Sequence, residues 1–154
     1  MFSDADTVVL KGSPEIDWQL LATSLQKAGV KHLDFKKMKV YNDEETNTLM
    51  FDRCVKALSN VDSLEKLDIC RCKSEFVERI AAVCRQLEYI TTGSINGSGI
   101  DLSHFSTNLI QLKLKGEGNG LTITNVPALL NMHRLKELGS IFKIMPLGII
   151  IIRV

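Results

Sequence analysis

The chain has 154 residues, 45% of them hydrophobic and 24% charged, which is enough for one core and too apolar for a disordered chain. A formal net charge of +1 gives no global attraction to nucleic acid or anionic membrane, so electrostatic recognition must come from local patches. The opening MFSDADTVVLKG carries acids where a secretory signal has bases, and a soluble cytoplasmic protein without a membrane span is expected.

In chain order, Ala5, Val8, Leu10 and Ser13 set out a loose copy of the frame L-x-x-L-x-L-x-x-N/C. Ser13 as N-cap and Pro14 at the first helical position then predict a helix, in which Trp18, Leu21, Ala22 and Leu25 share one face and Gly29 supplies the stop. Val30, Leu33 and Phe35 repeat the frame with Met38 in its last position. The polar stretch NDEETNT suits a helix N-terminus, and Phe51, Cys54, Val55 and Leu58 follow at helical spacing.

The clearest copy is LEKLDICRCK, with Leu64, Leu67, Ile69 and Cys72 in frame. In a strand, Leu67 and Ile69 point inward together while Asp68 and Cys70 point out. A third helix is predicted through Val77, Ile80, Ala81 and Cys84 after Ser74, and a weaker strand copy follows at Leu87, Ile90 and Thr92. TTGSINGSG reads as a loop, and IDLSHFSTN as a short helical turn offering Leu102 and Phe105 to the core. Leu109, Leu112 and Leu114 repeat the frame, ending on Glu117, with GEGNG as the turn after them. One more short helix is expected at Ala128 to His133, and Leu135 with Leu138 gives the faintest copy.

The copies start at residues 5, 30, 64, 87, 109 and 135, so the offsets are 25, 34, 23, 22 and 26 residues. All but one lie within the usual range of about 20 to 29 for a repeat of this type. The residues before the second helix account for the long one. The apolar run MPLGIIIIRV, within 144–154, is either a closing strand or an irregular chain end, and as an open apolar edge it would offer a surface for self-association.

Strands alternating with helices at this period predict an α/β solenoid in one domain, residues 1–154, with five to six degenerate units. A parallel sheet would line its concave face and helices its convex face. On these motifs the chain resembles leucine-rich-repeat proteins. It is most similar to the cysteine-containing intracellular repeats of F-box leucine-rich-repeat proteins, because LEKLDICRCK closes its frame on Cys72. The resemblance implies protein binding, with a role as substrate-receptor fragment of a ubiquitin ligase. No F-box is found, since Ser13-Pro14-Glu15-Ile16 shares only part of the L-P-x-E-I pattern. The alternative is a structural assembly factor of an organellar complex.

A partner would be met by outward strand positions: His32, Asp34, Lys36, Lys66, Asp68, Arg71, Tyr89, Gln111, Lys113 and Lys115. Lys36, Arg71, Lys113 and Lys115, on different strands, form a basic column suited to an acidic partner surface, and Tyr89 is the best aromatic anchor. No catalytic residues, metal or cofactor are expected. The glycine stretches lack the order of phosphate loops, His32 next to Asp34 is a surface pair, and Cys54, Cys70, Cys72 and Cys84 read as reduced packing thiols.

Overall fold

A computed structural model describes residues 2–97, 99–117, 121–144 and 148–152. Among the described residues there are ten strands: β1 (Thr7–Val9), β2 (His32–Asp34), β3 (Lys66–Ile69), β4 (Cys72–Lys73), β5 (Tyr89–Asn96), β6 (Ile100–Asp101), β7 (Gln111–Gly116), β8 (Leu121–Thr124), β9 (Glu137–Ile144) and β10 (Gly148–Ile152). Three α-helices, α1 (Trp18–Ala28), α2 (Glu44–Leu58) and α3 (Ser74–Val83), form the crossovers between the first parallel strands. Short 3-10 turns at Asp4–Asp6, Leu102–His104 and Val126–Asn131 complete the elements. This is an α/β architecture with a mostly parallel sheet.

The strand order is β1-β2-β3-β5-β7-β9-β8-β6, with β4 beside the end of β5. Only β10, antiparallel to β9, breaks the parallel pattern among the described strands. The register follows the apolar frame. Val8 pairs with Leu33, Leu33 with Leu67, Leu67 with Ile90, Ile90 with Leu112 and Leu112 with Leu138. The sheet therefore brings all six copies of the frame into one row.

Four of the strands, β3, β5, β7 and β9, also begin in the same way. The carbonyl of Lys31 accepts from the N–H groups of Glu65 and Lys66 (2.7 and 3.0 Å), and that of Glu65 accepts from Glu88 and Tyr89 (2.8 and 3.1 Å). Glu88 accepts from Ile110 and Gln111 (2.8 and 3.1 Å), and Ile110 from Lys136 and Glu137 (2.8 and 3.2 Å). One carbonyl thus satisfies two donors at each of these four steps, where the chain turns into the sheet.

The helices start one turn later than Ser13 suggested, or on other caps. Asp17, not Ser13, caps α1, accepting from the Leu20 N–H at 3.0 Å, while the Ser13 hydroxyl accepts from the Glu15 N–H in a local turn. Asp43 caps α2 through the Thr46 N–H at 2.8 Å. Gly29 ends α1 at φ 64°, a left-handed conformation in which a side chain is strained. The helices bury Trp18, Ala22, Leu25, Phe51, Cys54, Val55, Leu58, Val77, Ile80 and Ala81 against Leu33, Phe35, Leu67, Ile69, Ile90, Leu112 and Leu114 of the sheet side. Phe51 and Phe76 bring α2 to α3, with ring centroids 4.2 Å apart.

TTGSINGSG is not the loop its composition suggested: Thr91 to Asn96 continue β5, hydrogen-bonded to β3 and β4 on one side and to β7 on the other. Thr92 is buried yet satisfied, because its hydroxyl accepts from the Lys115 N–H at 3.1 Å. The register slips between Thr91 and Ser94, where Gly93 lies so close to the neighbouring chain that a Cβ would stand 3.0 Å from the Arg71 nitrogen. Ile100, in β6, joins Leu102 and Phe105 in the core. The expected helix at Ala128 to His133 is the 3-10 turn Val126–Asn131. Part of GEGNG and the ends of the apolar run, residues 118–120, 145–147 and 153–154, lie outside the described residues.

Asp101 ties the turn after β6 to the end of β8. It accepts from the Ser103 N–H at 2.9 Å and from the Asn125 side-chain amide at 2.7 Å, and hydrogen bonds from Ser103 and Asn125 push its carboxyl down from 3.8 to about 2. A depressed carboxyl contributes stability that is fully present above its unfolded value and lost as pH falls through the folded one. The melting-temperature gap between the wild type and Asp101→Ala should hold above about pH 4 and close between pH 3.8 and about 2. For the core, Leu67→Ala should cost about 2 to 5 kcal/mol in chemical denaturation, since Leu67 is fully buried.

Candidate functional site

The polar residues that alternate with the buried row emerge on the face of the sheet away from the helices. Register pairs arrange them in two rows across the strands. One runs Thr7, His32, Lys66, Tyr89, Gln111 and Glu137; the other runs Val9, Asp34, Asp68, Thr91 and Lys113. His32 and Asp34 are two residues apart on β2, so they share this face with Asp68 of β3, the register partner of Asp34.

The centre of the face is a chain of side-chain contacts. His32 Nε2 lies 2.5 Å from Asp68 Oδ2, and the Thr91 hydroxyl donates to Asp68 Oδ1. His32 Nδ1 faces Thr7 Oγ1 at 3.4 Å, while the Thr7 hydroxyl lies 3.0 Å from the Ser3 carbonyl, to which it donates. Phe2 lies over this group, its ring 5.6 Å from that of His32 and 5.9 Å, edge-on, from that of Tyr89. The side chains of His32 and Asp68 are consequently only 13% and 11% exposed.

Hydroxyl, imidazole and carboxylate here follow the order of a catalytic triad. The proton traffic does not. The Thr7 hydroxyl gives its proton to Ser3, so the imidazole is not placed to take it as a general base would. Among the described residues, His32, Asp34 and Asp68 are the one group of three or more His, Cys, Asp or Glu side chains with donor atoms close enough for a shared ion, all within 4.8 Å.

The basic column is not a column of strand residues. Lys36 lies in the turn after β2 and Arg71 in a bend between β3 and β4, beyond the strand ends, whereas Lys113 and Lys115 stand on one strand, β7. Two of the four are also paired internally. Arg71 Nε meets Glu117 Oε1 at 2.8 Å, and Lys113 Nζ meets Glu137 Oε1 at 3.0 Å, with Gln111 donating to the other Glu137 oxygen at 2.8 Å. Hydrogen bonding from Lys113, then Gln111, holds the Glu137 carboxyl below its usual range. The sequence reading missed these acids because they lie 24 and 46 residues from their cations.

Asp68 and Cys70 differ from the outward positions expected of them. Asp68 is on the open face but covered by His32 and Thr91; Cys70 is fully buried, because the chain turns inward after Ile69. All four cysteines are free and buried. Burial pushes the Cys70 and Cys84 thiols up to about 12, and raises Cys72 and Cys54 as well. Such thiols are poor nucleophiles.

A cleft of about 530 Å³ opens between the starts of α2 and α3, with Tyr41, Phe51, Phe76 and Arg71 in its wall. Its other cations are taken up locally: Lys73 pairs with Glu44 and Arg79 with Asp52. It joins side chains from successive units and so has no local signature in sequence. No protein-family model, curated protein or solved structure matches the chain. Among the described residues, no helix is long and apolar enough to cross a membrane.

Two measurements probe this description. Alkylation at pH 8 should leave all four cysteines unlabelled in the native protein and label them together in denaturant. Thr91→Val should cost about 1 to 3 kcal/mol, because it strips a mostly buried carboxylate oxygen of its donor.

Proposed function

We propose that this protein is a non-enzymatic protein-interaction module, a short leucine-rich-repeat solenoid of one domain that receives its partner on the open face of the parallel sheet. The observation that carries the reading is the single row of frame residues. The repeating motif and the strand register coincide at Val8, Leu33, Leu67, Ile90, Leu112 and Leu138, as stacked repeats require.

Lys66, Tyr89 and Gln111 lie side by side on that face, on three successive strands, and supply a cation, an aromatic ring and an amide. Arg71 and Lys113 contribute less to an acidic partner than a free cation would, since Glu117 and Glu137 already pair with them. Lys36 and Lys115 are exposed at the margins and extend the recognition surface for an acidic partner. Of the two roles named by the resemblance, we favour capture of a protein substrate, as in a ligase receptor, over permanent assembly. From β2 to β7 the two rows of this face are polar and charged apart from Tyr89, whereas obligate interfaces are more apolar.

The test is partner capture by affinity purification, followed by quantitative binding of the captured protein. Tyr89→Ala with Lys66→Glu should weaken binding at least about tenfold, as loss of a central anchor does, and the wild-type association rate should fall as salt rises. Lys27→Glu with Lys56→Glu, on the helices, should leave affinity within about twofold, because rim charges remote from a site contribute little. The opposite pattern would assign binding to the helical side.

A further inference from the structure

We propose that His32, Asp34 and Asp68 bind a divalent transition-metal ion of the zinc type on the open face of the sheet. This inference stands apart from the interaction reading and rests on the placement of protons and lone pairs around one imidazole.

Thr7 has a single hydroxyl proton, and it is donated to the Ser3 carbonyl at 3.0 Å. A lone pair of Thr7 Oγ1 is then free to face His32 Nδ1 at 3.4 Å, so a proton on Nδ1 has an acceptor there. In the neutral ring with its proton on Nδ1, Nε2 offers its lone pair on the side of Asp68 Oδ2, 2.5 Å away. Asp68 meets the ring through this one oxygen. Thr91 donates to its other oxygen and so holds the plane of the group.

An imidazole nitrogen and a carboxylate oxygen that converge at this distance share a positive centre, either a proton or a metal ion. Asp34 adds a third donor, all within 4.8 Å, from the same strand face. Lys66, the register partner of His32, forms no ion pair with either carboxylate among the described residues. Two carboxylates and an imidazole with its Nδ1–H engaged match the nitrogen and oxygen ligands that zinc takes, and the contacts of Thr7 and Thr91 are those that orient such ligands. Ligand bonds of about 2.0 to 2.2 Å hold neighbouring ligands roughly 3 Å apart, so a small rotation of His32 or Asp68 admits the ion. Phe2 packs beside the imidazole, its ring 5.6 Å away, and water would complete the coordination of a bound ion.

Asp34 separates this proposal from the simpler alternative, a proton shared between an imidazolium and Asp68. The proton needs only His32 and Asp68; the metal needs Asp34 as well. Asp34→Asn keeps a side-chain oxygen for the Lys36 N–H, which Asp34 Oδ1 now accepts at 3.0 Å, so the turn after β2 is preserved. Equilibrium dialysis against Zn²⁺ should find one ion per wild-type chain, with affinity at least about tenfold weaker in both Asp34→Asn and His32→Gln, the scale of losing a coordinating or orienting group. Circular dichroism melts of the metal-free variants establish that they fold. The Co²⁺-loaded wild type should show ligand-field bands without thiolate charge transfer, which excludes the buried cysteines as ligands. No bound ion, equal binding by Asp34→Asn, or a thiolate spectrum would each overturn the proposal.

Discussion

β3, β5, β7 and β9 each take their position from a carbonyl one residue ahead of the neighbouring strand, which accepts two backbone N–H groups at once. That contact fixes register before any side chain is considered. A slip of one residue would turn Leu67, Ile90 and Leu112 to the open face and send Lys66, Thr91 and Lys113 into the core, at a cost no helix packing could offset. The core row, the polar rows and the His32 cluster all follow from this shared starting point.

The helices are fitted to the sheet rather than the reverse. Their caps differ, with Asp17 and Asp43 closing α1 and α2 by side-chain hydrogen bonds and Lys73 preceding α3 without one. Their lengths differ too, from 10 to 15 residues. What they share is an apolar face laid against the same row of leucines and isoleucines, and this common burial is what makes unlike crossovers interchangeable in the architecture.

Much of the strand layout was legible in the sequence, including the faint copies at Leu87 and Leu135, because the apolar frame is the code for burial on one face. The extent of β5 was not. Thr91, Thr92, Gly93 and Ser94 have loop composition, and they form strand only because chains on both sides bond to them. The site was legible in principle. An offset of 34 residues between the second and third copies carries Asp34 onto Asp68, so the carboxylate beside His32 could have been found by adding the frame spacing to the dyad. The pairing of Arg71 with Glu117 was less accessible, since both lie at strand margins where the bulge at Gly93 shifts the register.

The long second unit carries one more implication. Its additional residues are absorbed in the approach to α2 and in α2 itself, while β2 and β3 still pair residue for residue. Length variation between β2 and β3 is thus confined to the helical layer, and away from the bulge at Gly93 the open face keeps a lattice of about 4.8 Å between strands and nearly 7 Å between alternate residues along them. Anything that reads this face reads a ruled grid, and two side chains can be brought to the same spacing whatever the length of chain that separates them.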